Sequence, residues 1–234
     1  MSLAGFYDRL QEHVDYSIYV NVFEDICAKN GVSPVSVADL GCGTGEVCRI
    51  LEHKGYDVTG VDMSDDMLNV VRAKIDTNKT LLLRQRIESL DLNDTVDAFI
   101  CTRGSMHYIE TEKKFAKALE RIRLFLNPGG LFVFDWKEPD VLRRQNNTCN
   151  TLEAEGVYCV WQSFVRGNTC SNCITMFIEE RGKWSRHEEF HMERSYPDVL
   201  KMLEAAGFCK VYIHRDKRLN NFGAGLVNIV AQAV

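Results

Sequence analysis

No apolar run in this chain approaches the roughly 18 residues that a membrane-spanning helix needs. The opening MSLAGFYDRLQEHVDY turns charged within its first nine residues. Neither a membrane segment nor a signal peptide is therefore expected, and a cytoplasmic location is. A long basic run is also missing. Lys+Arg number 28 against Asp+Glu 33, a formal net charge of −5, so nucleic acid is not an expected partner and a small-molecule substrate is. A second C-x-x-C is lacking beside Cys170 and Cys173. Cys149, Cys159, His187 and His191 are the nearest candidates to complete a zinc set, but the pair sits in RGNTCSNCITMF, which reads as a turn entering a strand; no metal is expected. The nine cysteines are odd in number and scattered through apolar stretches such as AFICT and GVYCVW. There they act as small hydrophobes, as suits a reducing compartment. Internal repeats and low-complexity segments are absent as well.

What is present is ample core material: 234 residues, 45% of them hydrophobic, enough for one large domain, or one carrying an insertion, without metal or disulfide staples. YVNVFEDICAKNG carries Tyr19, Phe23 and Ile26 at helical spacing and stops at Gly31. VSVADL then begins an alternation. A helix from about Glu46 to Lys54 is followed by YDVTGVD, the helix SDDMLNVVRAKID with Ser64 as N-cap, TLLLRQ, VDAFICT, the helix TEKKFAKALERIRLFL, the turn NPGG and LFVFDW. Strands buried on both faces and separated by helices predict a doubly wound, mostly parallel, seven-stranded Rossmann-like sheet. After Trp136 the polar RRQNNT leads into three strands near 157–166, 173–181 and 184–193, a small antiparallel β insertion. The helix PDVLKMLEAAGF and the strands KVYIHR and GLVNIVAQAV return to the main sheet. The domain reading is 1–136 with 196–234 for the sheet, and 137–195 for the insertion.

VADLGCGTGE places Gly41, Gly43 and Gly45 just after the first strand. In a doubly wound sheet ligands bind at the carboxyl ends of the strands, where glycine lets a ligand approach bare backbone. The G-x-G-x-G spacing differs from the G-x-G-x-x-G of dinucleotide turns; a tight strand-to-helix turn is the other use of such glycines. Asp62 ends the second strand in VTGVDMS, where a carboxylate can accept from both hydroxyls of a ribose. Its alternative role is helix capping, but Ser64 already offers the cap.

DLGCGTG, VTGVDMS, VDAFICTRGSMHYI and LNPGGLFVFD together resemble the ordered motifs of class I S-adenosylmethionine-dependent methyltransferases. The insertion with its exit HEEFHMERSYP, and the N-terminal FYDRL and VDY, resemble a bacterial subgroup of small-molecule methyltransferases. The resemblance implies S-adenosylmethionine as cofactor, with Gly41, Cys42 and Gly43 against its methionine part, Asp39 placing the amino group, Asp62 on the ribose and Met63 along the adenine. Thr102, Tyr7 and Tyr16 would complete the pocket. One departure stands out: Arg86 occupies the position of a family aspartate that accepts from the adenine amino group. A guanidinium has donors only, so it could stack on the ring but not accept. The Ile87 amide would then serve adenine, with Glu88 or Asp91 as substitute acceptors.

Methyl transfer from a sulfonium chiefly requires an acceptor held in line. An acceptor hydroxyl or ammonium also needs a base, for which His107, Tyr108 and His191 are the candidates. Arg194, Tyr196 and Asp135 are candidate substrate contacts. The expected function is methylation of an unidentified small molecule by a monomer or homodimer. The alternatives are a non-catalytic nucleoside-binding protein of the same fold and an NAD-dependent oxidoreductase.

Overall fold

The computed structural model describes residues 3–222 and 226–234. Two short helices, α1 (Ala4–Leu10) and α2 (Ser17–Lys29), precede the alternation β1 (Ser36–Leu40), α3 (Glu46–His53), β2 (Asp57–Asp62), α4 (Asp65–Arg72), β3 (Thr80–Arg84), β4 (Val96–Cys101), α5 (Glu112–Leu124), β5 (Leu126–Lys137). Then come α6 (Pro139–Arg143), β6 (Thr148–Ala154), β7 (Val157–Arg166), β8 (Thr169–Glu180), β9 (Lys183–Arg194), α7 (Val199–Ala205), β10 (Phe208–His214) and β11 (Leu226–Ala233). Local chemistry sets the helix starts. The Ser64 hydroxyl accepts from Met67 N at the head of α4, and Thr111 does the same for Lys114 N at the head of α5. Asp65, Asp66 and Glu112 add negative charge to those first turns.

The seven-stranded sheet has the order β10-β11-β5-β4-β1-β2-β3, with β11 antiparallel to its neighbours and the remaining pairs parallel. Chain order reverses between β1 and β4, which opens a crevice at the carboxyl ends of those two strands. Both faces of the sheet are covered. One face packs Phe99, Phe132, Phe134 and Trp136 against Phe115, Leu119 and Ile122 of α5 and Leu203 of α7. The other packs Val37, Val58, Ile100 and Val133 against Phe23, Ile26, Leu51 and Leu68 of α2, α3 and α4. The doubly wound, mostly parallel sheet is as expected from the alternation.

The insertion forms a separate antiparallel sheet, β6-β7-β8-β9, with four strands where the sequence suggested three. β6 was hidden because TCNTLEA is an exposed edge strand with little apolar patterning. β8 also starts earlier, at Thr169, and α4 stops at Arg72 rather than near Asp76. Gly225, with which the sequence reading opens the last strand, lies outside the described residues. A third core joins the insertion to the N-terminus: Leu3, Phe6 and Leu10 pack on Val157, Cys159, Ile174, Met176 and Ile178. Each such side chain contributes about 1.5–3 kcal/mol when fully buried. Among the described residues no helix is long and apolar enough to cross a membrane.

Candidate functional site

At the carboxyl end of β1 the chain turns on three glycines with positive φ: Gly41 (68°), Gly43 (54°) and Gly45 (83°). Their bareness has different uses. A Cβ on Gly41 would lie 2.5 Å from the Cβ and Oγ of Ser105, and one on Gly45 would lie 2.6 Å from Val71. A Cβ on Gly43 would meet nothing within 4 Å. Gly43 alone of the three therefore has open space where a side chain would stand; at Gly41 that space is taken by Ser105, so only its backbone is left to meet a ligand. Cys42, also expected in the pocket, is buried beneath the turn. Above the loop sits α1, whose Asp8 accepts from the Thr44 hydroxyl at 2.6 Å and pairs with Lys74.

Two carboxylates stand beside this loop. Asp62 Oδ2 accepts from Gly43 N at 2.9 Å, and Oδ1 accepts from Ser64 N at 2.8 Å. Each oxygen keeps a second lone pair. Burial raises this carboxyl above its usual range against the pull of those backbone donors. Asp39 is buried deeper. Its Oδ2 accepts from Cys48 Sγ at 3.3 Å, and its Oδ1 has no hydrogen-bond partner. Burial, opposed by the Cys48 thiol and reinforced by the Asp62 charge, pushes Asp39 up to about 7. An ammonium brought near that carboxylate would offset the desolvation that holds it protonated. Open space at Gly43, the remaining lone-pair capacity of Asp62 and an unpartnered acceptor on Asp39 are the acceptors that a ribose diol and an amino group require. Met63, beside Asp62, leaves an apolar surface exposed.

Arg86 does not stand free to stack on a ring. Its Nε donates to Glu88 Oε1 at 2.8 Å and its Nη2 to Glu110 Oε1 at 3.3 Å. Asp91 pairs with Arg121 at 2.9 Å on the surface and is no substitute acceptor at the pocket. Ile87 and Glu88 are both buried, which leaves Glu88 as the carboxylate nearest the position in question.

The acceptor-side candidates separate sharply. His107 is fully buried, stacked on Trp136 with centroids 4.1 Å apart. Its Nδ1 lies 2.7 Å from Arg194 O and its Nε2 accepts from Lys137 N at 2.9 Å. Nδ1 is therefore the protonated nitrogen, and no lone pair is left for a substrate. Burial pushes its pKa down to about 4. His107 is a strut between β5 and the end of β9, which corrects its candidacy as a base. Tyr196 is likewise an anchor: its hydroxyl donates to Ile109 O at 2.8 Å, and its ring packs on Phe115 and Trp136. The carbonyl of Arg194 serves His107, while its guanidinium lies by Met192 Sδ, 3.6 Å away. Tyr108 is more accessible, its ring edge-on to His191 at 5.8 Å. His191 Nε2 lies 3.1 Å from Glu189 Oε2, and Glu189 also accepts from Leu3 N at 2.8 Å. Asp135, at the end of β5, accepts from Arg103 N at 2.6 Å and Gly104 N at 2.7 Å. Burial holds it at about 6 despite those donors.

Residues 37–130 match the family described as "Methyltransferase domain". A Bacillus subtilis (strain 168) protein with a provisional methyltransferase name, YqeM, is 26% identical over 215 residues, covering 88% of this chain and 84% of its own. Among solved structures, an S-adenosylmethionine-dependent methyltransferase from Clostridium acetobutylicum superposes with a TM-score of 0.85 at 24% identity, over 99% of this chain and 97% of that one. The sugar N-methyltransferase KedS8 from Streptoalloteichus does so with a TM-score of 0.83 at 22% identity, over 100% and 93%. Residues 37–130 thus resemble a methyltransferase domain.

Around that matched region the structure gathers residues that sequence reasoning missed. Tyr7 of α1 and Tyr16 at the head of α2, both expected at the pocket, share a hydrogen bond. Beside them stand Gln11, Tyr19 and Arg103; the Arg103 guanidinium donates to Gln11 Oε1 at 2.8 Å and bonds the Tyr19 hydroxyl. Thr102 is buried just ahead, its carbonyl accepting from Ser105 Oγ at 3.0 Å. The available signal was an arginine directly after a buried strand, in CTRGSM. Among the described residues no group of three His, Cys, Asp or Glu is arranged to hold a metal. Cys170 and Cys173, three apart on β8, point to opposite faces of it.

Proposed function

We propose that this protein is an S-adenosylmethionine-dependent methyltransferase acting on a small molecule, with the four-stranded sheet and α1 as the cap over its site. The observation that carries this reading is the unpartnered Oδ1 of buried Asp39 beside the open face of Gly43 and the half-satisfied Asp62. Asp39 would hold the cofactor's amino group, Asp62 its ribose, and Gly43 would give way to its chain. Bound there, the cofactor supplies an electrophilic methyl group on a positively charged sulfur. The chain's own contribution is placement and exclusion of water: α1 lies over the glycine loop through Asp8–Thr44, and its apolar face seals against the insertion. With His107 fully engaged, His191 is the group able to take a proton from an acceptor, while burial raises the Tyr108 hydroxyl and keeps it a hydrogen-bond donor. Sugar and amino-pentose methyltransferases share this fold, and a hydroxyl or amine of a small polar molecule suits a base of that kind. The nine free thiols, most of them buried, suit a reducing compartment such as the cytoplasm.

Thermal unfolding with S-adenosylmethionine, S-adenosylhomocysteine and NAD in parallel tests the reading. Ligand at 100 times its dissociation constant adds about 2.7 kcal/mol, so the two sulfur nucleosides should raise Tm and NAD should not. Stabilisation by NAD alone would transfer the site to the oxidoreductase reading. Binding of both sulfur nucleosides without methyl transfer to any of a panel of amines and alcohols would favour the non-catalytic one.

A further inference from the structure

Arg103 follows β4 at the reversal of strand order, with φ of 60°, a left-handed conformation that side chains rarely adopt. The strain is held in place by Asp135, which takes the N–H of both Arg103 and Gly104. This turn sends the guanidinium inward, under α1 and α2. There it meets Gln11 Oε1 and the hydroxyls of Tyr7, Tyr16 and Tyr19. All are neutral groups. Asp135, the carboxylate close by, feels the Arg103 charge but is turned to the backbone N–H groups, and Arg103 forms no ion pair among the described residues. Its Nε is buried with no hydrogen-bond partner. A guanidinium has five N–H donors; Gln11 and Tyr19 account for two. A half-buried guanidinium whose nearest carboxylate makes no ion-pair contact with it keeps attraction to spare, and a planar fork with free donors matches a carboxylate or phosphate.

We propose that Arg103 is an anion receptor inside the methyl-transfer site, receiving a carboxylate or phosphate borne by a ligand of that site. The proposal rests on the methyltransferase reading for what the ligand is, not for where the anion goes. Two ligands could bring the anion: the cofactor, through its amino-acid carboxylate, or the methyl acceptor. The surrounding tyrosines would line the anion's apolar flanks, and Gln11 would keep the fork in plane.

Three probes separate these sources on the whole protein by calorimetry: S-adenosylhomocysteine; 5′-methylthioadenosine, the same thioether nucleoside without the carboxylate; and inorganic phosphate. Arg103→Asn and Arg103→Gly both tolerate the positive φ, so circular dichroism should show them folded. If the cofactor brings the anion, both variants lose about ten-fold or more in affinity for S-adenosylhomocysteine and less than about two-fold for 5′-methylthioadenosine. If the acceptor brings it, both nucleosides bind as before, and phosphate binds the S-adenosylhomocysteine-loaded parent but neither variant. Folded variants that match the parent with all three probes overturn the proposal. A parent that binds neither nucleoside overturns the methyltransferase reading instead, and phosphate titration of the unloaded parent and variants then decides the anion receptor by itself.

Discussion

The two sides of the crevice are built in opposite ways. On the β1–β2 side, Asp39, the three glycines and Asp62 lie within 24 residues of one another and belong to one strand-turn-helix-strand unit. On the β4 side, Arg103 is completed by Gln11, 92 positions away, by tyrosines of α1 and α2, and by Asp135 of β5. A local backbone requirement leaves its mark in adjacent residues. A charge satisfied by distant side chains leaves only a lone arginine. The proposed cofactor contacts are thus adjacent in the chain, and the proposed anion receptor is assembled by the fold.

The sharpest way to break this contrast is at the glycines. Gly43→Val should abolish binding of S-adenosylhomocysteine while leaving the chain folded, at a stability cost of about 1–2 kcal/mol for a side chain at left-handed φ. Gly41→Val should fail differently. Its side chain overlaps Ser105, adding overpacking of about 1–3 kcal/mol to the backbone strain. Calorimetry and urea unfolding on the pair decide it: a Gly43→Val protein that binds normally would remove the ligand from the open side of the loop.

Next in size is Asp62→Ala, expected to cost about 1.5–3 kcal/mol of cofactor affinity, the range for hydrogen bonds to a charged group. Asp62→Asn should recover part of it, since an amide oxygen still accepts. Because Gly43 N also donates to Asp62, the alanine variant should show faster amide exchange at Gly43. Unchanged affinity with a loosened loop would make Asp62 a loop brace and nothing more.

These effects also mark what was legible. The alternation of strands and helices was readable because the central stretches of β1, β4 and β5 are buried on both faces and so carry short apolar runs. β6 was not, since an exposed edge strand needs no apolar period. Asp62 was readable as the polar end of an apolar strand. His107 was misread because a histidine after a strand looks the same whether its nitrogens face solvent or two main-chain groups. Only the packing of β9 against it shows which.

A smaller effect follows from the buried carboxyls. Asp39 at about 7 and Asp135 at about 6 both stand above the ordinary 3.8 of an aspartate. Between about pH 4 and 7 the folded chain therefore holds more protons than the unfolded chain, so these groups make stability fall as pH rises through that window and level off above it. Urea titrations from pH 5 to 8 should show the decline, and Asp39→Asn should flatten its upper part. S-adenosylhomocysteine should flatten it too, since an ammonium beside Asp39 favours the ionised form. An identical slope in parent and Asp39→Asn would mean that Asp39 ionises in the folded state as it does in water.

The smallest effect is expected at Arg86, where the departure from the family's aspartate looked most consequential. Its side chain is 41% exposed and is tied down by Glu88 and Glu110. Exposed pairs of this kind contribute about 0–1 kcal/mol. Arg86→Gln should therefore change S-adenosylhomocysteine affinity by no more than about five-fold, which is that energy expressed as a ratio. Replacing it with the family's carboxylate is a different matter. Arg86→Asp would place a third negative charge beside Glu88 and Glu110, so it should weaken binding or leave it unaltered. The discriminating partner is Glu88→Gln. If the buried Glu88 has taken over the adenine amino group, that variant loses affinity for adenosine ligands and Arg86→Gln does not. If instead Arg86→Asp tightens binding and Glu88→Gln is silent, the adenine edge lies at position 86 after all, and the Arg86–Glu88 pair must open whenever the ligand arrives.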